Sequence, residues 1–350
     1  MKCATYILGT LLLIFNNARS QDFSHKLYGY SQLDFKSSND PMLAEGFRLT
    51  RINLIDDFSL QDNARFVVDL EFEDGADISP EETKGSIKVS RGFFEYNFKS
   101  NTSVSFGKVL TPFGLLNETH DFTITYLPIE VPLPYRAFIP LSGNKYTRVF
   151  SKYSTGVSVK DTSKLFQKYN WINQFSVGNG FSETNKGADG NHDKGLSFKS
   201  SLKYLKEENI YETGGSIYTE NDSSAFGGSS SKRFYTYALH FKFENNFFNI
   251  SSEVIYSRFN SAVFNTQEAL AYYACAGYTL SERLTPYLLY TKALRDLSNK
   301  KNYDRELALG VNATLLQQVI LKIEYTMSER EVTGLSKNYQ TIGTTLAIAF

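Results

Sequence analysis

Lys232-Arg-Phe-Tyr-Thr-Tyr-Ala-Leu-His-Phe-Lys-Phe-Glu244 alternates from end to end. Tyr235, Tyr237, Leu239, Phe241 and Phe243 fall on one face; Thr236, Ala238, His240, Lys242 and Glu244 fall on the other. A period of two is a β-strand, and a strand with one aromatic face and one charged face suits a wall between lipid and a wet lumen. The pattern recurs in 64–74, where Phe66, Val68, Leu70 and Phe72 oppose Arg65, Asp69, Glu71 and Glu73. It recurs in 196–204 and again where Val319, Leu321, Ile323, Tyr325 and Met327 oppose Lys322, Glu324 and Thr326. The 23 Tyr and 28 Phe are spread over nearly every such face, while the mean hydropathy is negative. Beyond the first 20 residues no apolar run approaches the roughly 20 residues of a membrane-spanning helix. The expectation is an all-β transmembrane antiparallel barrel.

Marking strands by this rule from 25–35 to 338–350 gives about 16, an even number as bacterial barrels have. One of them is marked at 146–159. Connections alternate between short ones, such as 59–63, 99–101, 206–208 and 314–316, and long polar ones, such as 36–45, 74–85, 179–194 and 220–231. Short periplasmic turns and long external loops give a barrel that rhythm, and both chain ends then fall on the periplasmic side. One strand is blurred: Arg48 and Asp56 share a face with Ile52 and Leu54.

Between 111 and 145 the rhythm stops. Pro112, Pro128, Pro132, Pro134 and Pro140 lie there, and rings that lack an N–H exclude both a helix interior and a central strand. Yet the stretch carries Phe113, Leu115, Leu116, Ile124, Tyr126, Ile129, Leu133 and Tyr135, too apolar for a tether in water. A long apolar loop in a polar-walled barrel has to cover itself, and the lumen is the space available. This is the third long loop.

Residues 1–20 read as a secretory signal peptide: Lys2, an apolar run from Ala4 to Phe15, then Ala18-Arg19-Ser20 before Gln21. Residues 21–350 form the single barrel domain. They hold one cysteine, Cys275, which excludes an internal disulfide. The 37 Lys and Arg balance the 37 Asp and Glu, and the leader removes two of the basic residues. That leaves no basic excess for a nucleic-acid partner.

The run Phe106-Gly-Lys-Val-Leu-Thr-Pro-Phe-Gly114 resembles the motif of the phosphate-selective porin O and P family. Gly107, Lys108, Pro112, Phe113 and Gly114 carry the likeness. So do the opening Leu27-Tyr-Gly-Tyr-Ser-Gln-Leu-Asp-Phe35 and the strand with Arg48 and Arg51, and Leu115-Leu-Asn-Glu-Thr-His-Asp121 is similar to Bacteroidetes-like members. The likeness is best over 26–150. It implies a 16-stranded Gram-negative outer-membrane porin, usually a homotrimer, with the third loop folded inward and small hydrophilic solutes or ions diffusing passively. A final strand with Ile342, Leu346, Ile348 and Phe350 on one face resembles those recognised by the barrel-assembly machinery. The implied location is the outer membrane, among its lipids, after export to the periplasm.

Anion selectivity, with phosphate as the solute, is the sharper family property, and the residues leave it open. A phosphate filter needs dense Arg and Lys in a narrow constriction. The loop instead offers Glu118, Asp121 and Glu130 against Arg136, so it reads as acidic. Lys145, Arg148 and Lys152 follow, and Arg148 and Lys152 fall opposite Val149, Tyr153 and Val157 as a basic patch on the wall. Arg65 and Arg91 share their faces with Asp69, Glu71 and Glu95, the pattern of an internally paired, hydrated lumen. His120 and Asp121 beside Glu118 suit a channel lining or an acid–base cluster. The four His residues show no metal-ligand spacing, and no nucleophile elbow, phosphate cradle or cofactor motif occurs. No enzyme is expected. Two other readings stand beside the porin: a non-conducting barrel that anchors an adhesive or enzymatic function, and a secreted β-rich module that binds polysaccharide.

Overall fold

The computed structural model describes residues 23–350 apart from 42, 44, 61, 74–85, 100, 120–123, 137–138, 141–145, 167, 181–192, 223–231, 262–265, 299–301 and 333–334. The leader at 1–20, His120, Asp121 and Lys145 therefore lie outside the described residues. Sixteen antiparallel strands close on themselves, each paired with the next strand in sequence and the last with the first at the seam. They are β1 (Phe23–Ser38), β2 (Gly46–Leu60), β3 (Ala64–Glu73), β4 (Ser86–Asn97) and β5 (Thr102–Leu110). After the loop come β6 (Tyr153–Leu165), β7 (Tyr169–Gly178), β8 (Gly195–Lys206), β9 (Asn209–Asp222) and β10 (Lys232–Glu244). The barrel ends with β11 (Phe248–Ser261), β12 (Gln267–Tyr278), β13 (Leu284–Leu294), β14 (Tyr303–Leu316), β15 (Val319–Val332) and β16 (Leu335–Ala349).

The seam joins β1 to β16 in register from Tyr30 opposite Ala349 to Ser38 opposite Thr341, and Gly29 exchanges backbone hydrogen bonds with Phe350. Phe23 and Phe350 thus sit at the end with the short turns. On β10 the alternating faces sort as the sequence predicts. Phe234, Thr236, Ala238 and His240 are buried inside, whereas Tyr237, Leu239 and Phe241 are exposed outside. A row of outward aromatics crosses β7 to β10 near the short-turn rim: Tyr169 to Tyr204 at 5.1 Å, Tyr204 to Tyr211 at 6.0 Å and Tyr211 to Phe243 at 4.8 Å between ring centroids. Amphipathic rings at that level form the girdle expected where a membrane meets water.

The blurred facing of β2 has a local cause. The register slips between Gln32 and Leu33, which pair with Arg51 and Leu49 and leave Thr50 as the extra residue of a bulge. Arg48 thereby returns to the inner face opposite Asp34, while Asp56 stays outside with Ile52 and Leu54, at the short-turn rim beside His25.

One strand differs from the sequence reading. The segment marked at 146–159 does not begin the wall at Tyr146: β6 starts at Tyr153, and Tyr146–Thr147 pair instead with Ile139–Pro140 inside the loop. Val149 and Phe150 mimic a strand face but are buried in the loop's own core, 0% and 1% exposed. The basic patch placed on the wall is thereby corrected. Arg148 lies in the loop, Lys152 directly precedes β6, and neither faces the lumen as a wall residue of a strand.

Candidate functional site: the loop across the lumen

The site is the third long loop, from Thr111 to Lys152, and its first fixed point is Phe113. That ring is wholly buried, 4.4 Å from the Phe150 ring and 6.4 Å from that of Tyr218 on β9. Tyr135 closes the cluster, edge-on to Phe150 at 5.8 Å and to Tyr273 on β12 at 6.5 Å. Gly114 follows with φ of +65°, and a Cβ there would lie 2.3 Å from the Tyr135 hydroxyl and 2.5 Å from Glu253 Oε1. Only glycine takes this turn so close to its neighbours without strain. Gly107 and Lys108 of the same motif lie within β5, and Pro112 is joined to the wall by the Ser197 hydroxyl, which donates to its carbonyl at 2.6 Å.

Buried polar wall residues hold the backbone of this loop. The Tyr135 hydroxyl donates to Glu253 Oε2 at 2.5 Å, and Glu253 Oε1 accepts from the Leu115 amide at 3.1 Å. Burial, with Glu253 beside it, pushes the Tyr135 phenol well above its ordinary range, so the proton stays on the donor. Ser216 accepts from the Gly114 amide at 2.9 Å, and Thr291 accepts from the Leu133 amide at 3.2 Å. On β15, Lys322 donates to three successive carbonyls, of Tyr126 at 2.5 Å, Leu127 at 3.2 Å and Pro128 at 3.0 Å. Its neighbour Glu324 accepts from the Ile129 amide at 3.2 Å and from the Tyr287 hydroxyl at 2.7 Å.

The wall beneath the loop is pared down to receive it. Ala269, Ala271, Cys275 and Gly277 line the inner face of β12, with Ala293 on β13, Ala308 on β14 and Gly343 on β16. Leu127 packs so close to Gly277 that a Cβ there would lie 2.4 Å from it. On the far side Ile124 meets a second buried cluster of Tyr30, Ile55, Val67, Phe93 and Val109, on β1 to β5. The loop therefore reaches across the lumen from one wall to the other.

The acids of this loop are not loose. Glu118 accepts from Lys199 Nζ at 2.5 Å and from Gln174 at 2.6 Å. Burial works against its charge, but the Lys199 ammonium and these hydrogen bonds outweigh it and hold the carboxyl below its ordinary range. Glu130 lies 3.3 Å from Arg136 and also takes a hydrogen bond from Lys36; the Arg136 guanidinium holds its carboxyl down at about 2. Arg136 in turn donates to Glu306 on β14 at 2.9 Å and to the Val131 carbonyl at 2.7 Å. An acidic loop, as read from the sequence, is thus corrected to one whose described carboxylates are matched by cations. Arg65 and Arg91 are paired as expected, with Glu95 at 2.8 Å and Asp69 at 3.0 Å.

These depressed carboxyls set a pH dependence. A carboxyl whose folded value lies below its unfolded one contributes anchoring above the unfolded value and loses it as pH falls through the folded one. Single-channel conductance is accordingly expected to rise on strong acidification, as the Glu130 anchor protonates toward its folded value of about 2 and the likewise lowered Glu118 anchor is lost in the same direction. A conductance with no rise on acidification through that range would show that these carboxylates do not hold the loop.

Three cavities around the loop are lined by described residues. One, of 390 Å³ on the short-turn side, is lined by Lys160, Lys199, Lys203 and Lys242 with Glu118 and Glu212. A second, 230 Å³ on the long-loop side, is lined by both signs, among them Lys36, Arg136, Arg330, Glu130, Asp304 and Glu306. A third of 160 Å³ runs between Pro112 and the wall at Arg91, Glu95 and Ser105, and it shares Glu118, Lys160 and Gln174 with the first. Glu118 and Lys160 stand where these two spaces meet. Sequence patterning found Glu118, Glu130 and Arg136. It did not single out Lys160, Lys203, Lys242, Glu253, Lys322 or Glu324 as site residues, because each reads as one more polar position on an alternating strand. Among the described residues no group of three or more His, Cys, Asp or Glu is placed to hold a metal.

This barrel, constricted by its loop, is similar to solved outer-membrane proteins. An anion-selective porin from Comamonas acidovorans superposes with a TM-score of 0.66 over 94% of this chain and 100% of that one, at 12% identity. The fold is that of the porins. The outer membrane channel DcaP of Acinetobacter baumannii matches with a TM-score of 0.61 over 95% of this chain and 99% of its own, at 14% identity. OmpT of Vibrio cholerae matches at 0.61 over the same shares, at 12% identity. At such identities the porin barrel is what is shared. No family model matches the sequence. An uncharacterized protein of Aquifex aeolicus is 28% identical over 112 residues, which is 32% of this chain and 25% of that protein. The matched segment spans about a quarter of that relative's length.

Proposed function

We propose that this chain is an outer-membrane porin through which small hydrophilic solutes diffuse passively, with anions, inorganic phosphate among them, preferred over cations. The loop across the lumen sets the size limit and the charge beneath it sets ion preference. One observation carries the anion preference. The cavity below the loop is lined by four lysines and two carboxylates; with Lys199 bound to Glu118 and Lys242 to Glu244, Lys160 and Lys203 still stand against Glu212. Positive charge focused in a narrow wet space raises the local concentration of anions. On this reading the leader at 1–20 directs export, Phe350 ends the strand offered to the assembly machinery, and the protein works as a homotrimer.

The test is the reversal potential of the purified protein in planar bilayers under a salt gradient. Wild type favours chloride, and K160Q/K203Q/K242Q loses most of that preference, since each cation removed at an aqueous lumen wall changes the local potential by about 1 kcal/mol per unit charge or less. Cation preference in the wild type overturns the anion reading. A correctly folded barrel without conductance favours the anchoring alternative.

A further inference from the structure

We propose that the outer wall carries a site for the phosphate-bearing headgroup of a membrane lipid, formed by Lys108 and Lys152 beside Tyr153. The inference rests on the outer-membrane reading above. Lys108 occupies an outward position of β5, two residues before its long-loop end, directly opposite Gly92 and Thr155, with Val89, Phe106, Leu110 and Val157 on the outward positions around them. Phe106 is 51% exposed and Val89 46%, so this surface is apolar and faces lipid in a barrel of this kind. A lysine there is costly unless it lies at the level of the headgroups or has a counter-charge.

The geometry gives Lys108 little charge compensation from the protein. Its Nζ donates to the Val89 carbonyl at 3.1 Å and lies 5.3 Å from the centre of the Tyr153 ring. Lys152 Nζ lies 5.1 Å from the centre of that same ring. Two ammonium groups therefore attend one phenol, each placed to donate a charge-assisted hydrogen bond to the phosphate oxygens of a headgroup lying over that ring. Among the described residues, the outward positions of β4 and β5, and of β6 from Tyr153 to Val159, carry no carboxylate. The contrast lies elsewhere on the same rim, where outward Arg305 pairs with Glu329 and Arg258 stands opposite Glu268. At the opposite rim the outward charges include Asp56, beside His25, and Asp161. A local pair of outward cations at the external end, with a tyrosine between strand and loop, matches a leaflet whose headgroups are anionic.

The experiment measures binding of diphosphoryl lipid A and of its dephosphorylated form to the full-length protein in detergent, for wild type, K108Q and K108Q/K152Q. Wild type binds the phosphorylated lipid about tenfold more tightly than the dephosphorylated one, the double variant loses that ratio, and K108Q falls between. Millimolar inorganic phosphate leaves the ratio intact. A ratio unchanged in the double variant overturns the site. Equal competition by inorganic phosphate overturns the lipid as its ligand, and a variant altered in subunit number with its lipid ratio intact makes the pair a subunit contact instead. Planar-bilayer insertion separates the two levels: wild type that fails to insert sinks the porin reading and this site with it, whereas normal conductance with no phosphate preference sinks this site alone.

Discussion

Removal of Glu118 to Phe138 raises single-channel conductance at least about twofold, because the deleted segment is what narrows the lumen and conductance scales with the open cross-section. The segment contains Ile124, which reaches the wall of β1 to β5, and the run from Tyr126 to Tyr135, seated on β12 to β16. Phe113 and Phe150 remain to pin the two stumps against β9. The barrel itself loses none of its strand ladders, so heat-modifiable migration in detergent gels verifies folding. The same deletion removes the carboxylate that holds Lys199. Anion preference is therefore expected to rise with conductance, a paired result that a merely loosened barrel does not give. A folded deletion variant of unchanged conductance would refute the constriction.

Lys322→Met has the second large effect, and it comes without any deletion. Lys322 is wholly buried, and its three hydrogen bonds fix the carbonyls from Tyr126 to Pro128. Methionine fills similar space but donates nothing, leaving three buried carbonyls and the neighbouring Glu324 without the cation. Breaking one partner out of a buried ionic cluster costs about 3 to 5 kcal/mol. That cost falls on the docking of the loop, since the backbone pairing of β15 with β14 and β16 does not involve the side chain. Recordings of this variant are expected to alternate between the wild-type level and a larger open level, with Lys322→Arg restoring part of the quiet state by its retained charge. Steady wild-type currents from the methionine variant would show that other contacts suffice to seat the loop.

The sequence made the barrel legible because alternation is a local property: Tyr235 to Phe243 announces its facing with no knowledge of neighbours. Five prolines marked the loop for the same reason. The failures are non-local. Thr50 becomes a bulge only because Gln32 and Leu33 pair as they do across the strand, and no pattern within β2 records that. Val149 and Phe150 looked like a strand face because burial in a loop core and burial in a wall demand the same residue type. The acids of the loop looked unmatched because Lys199 is 81 residues from Glu118 and Glu306 is 170 from Arg136. Small residues such as Ala271, Cys275 and Gly277 carry their meaning only once Leu127 is seen lying on them.

The distance along the chain between Tyr126 and Lys322, 196 residues, also orders events in time. Strands synthesised and inserted in sequence would present β15 and β16 last, and until then the middle of the loop has neither the lysine nor Glu324 to grip. A nascent barrel thus passes through a stage as a gaping, incomplete cylinder, and the hairpin that seals its seam is the same hairpin that shuts its bore. Sealing the wall against the membrane and restricting passage through it become one step, so no closed barrel is left unguarded.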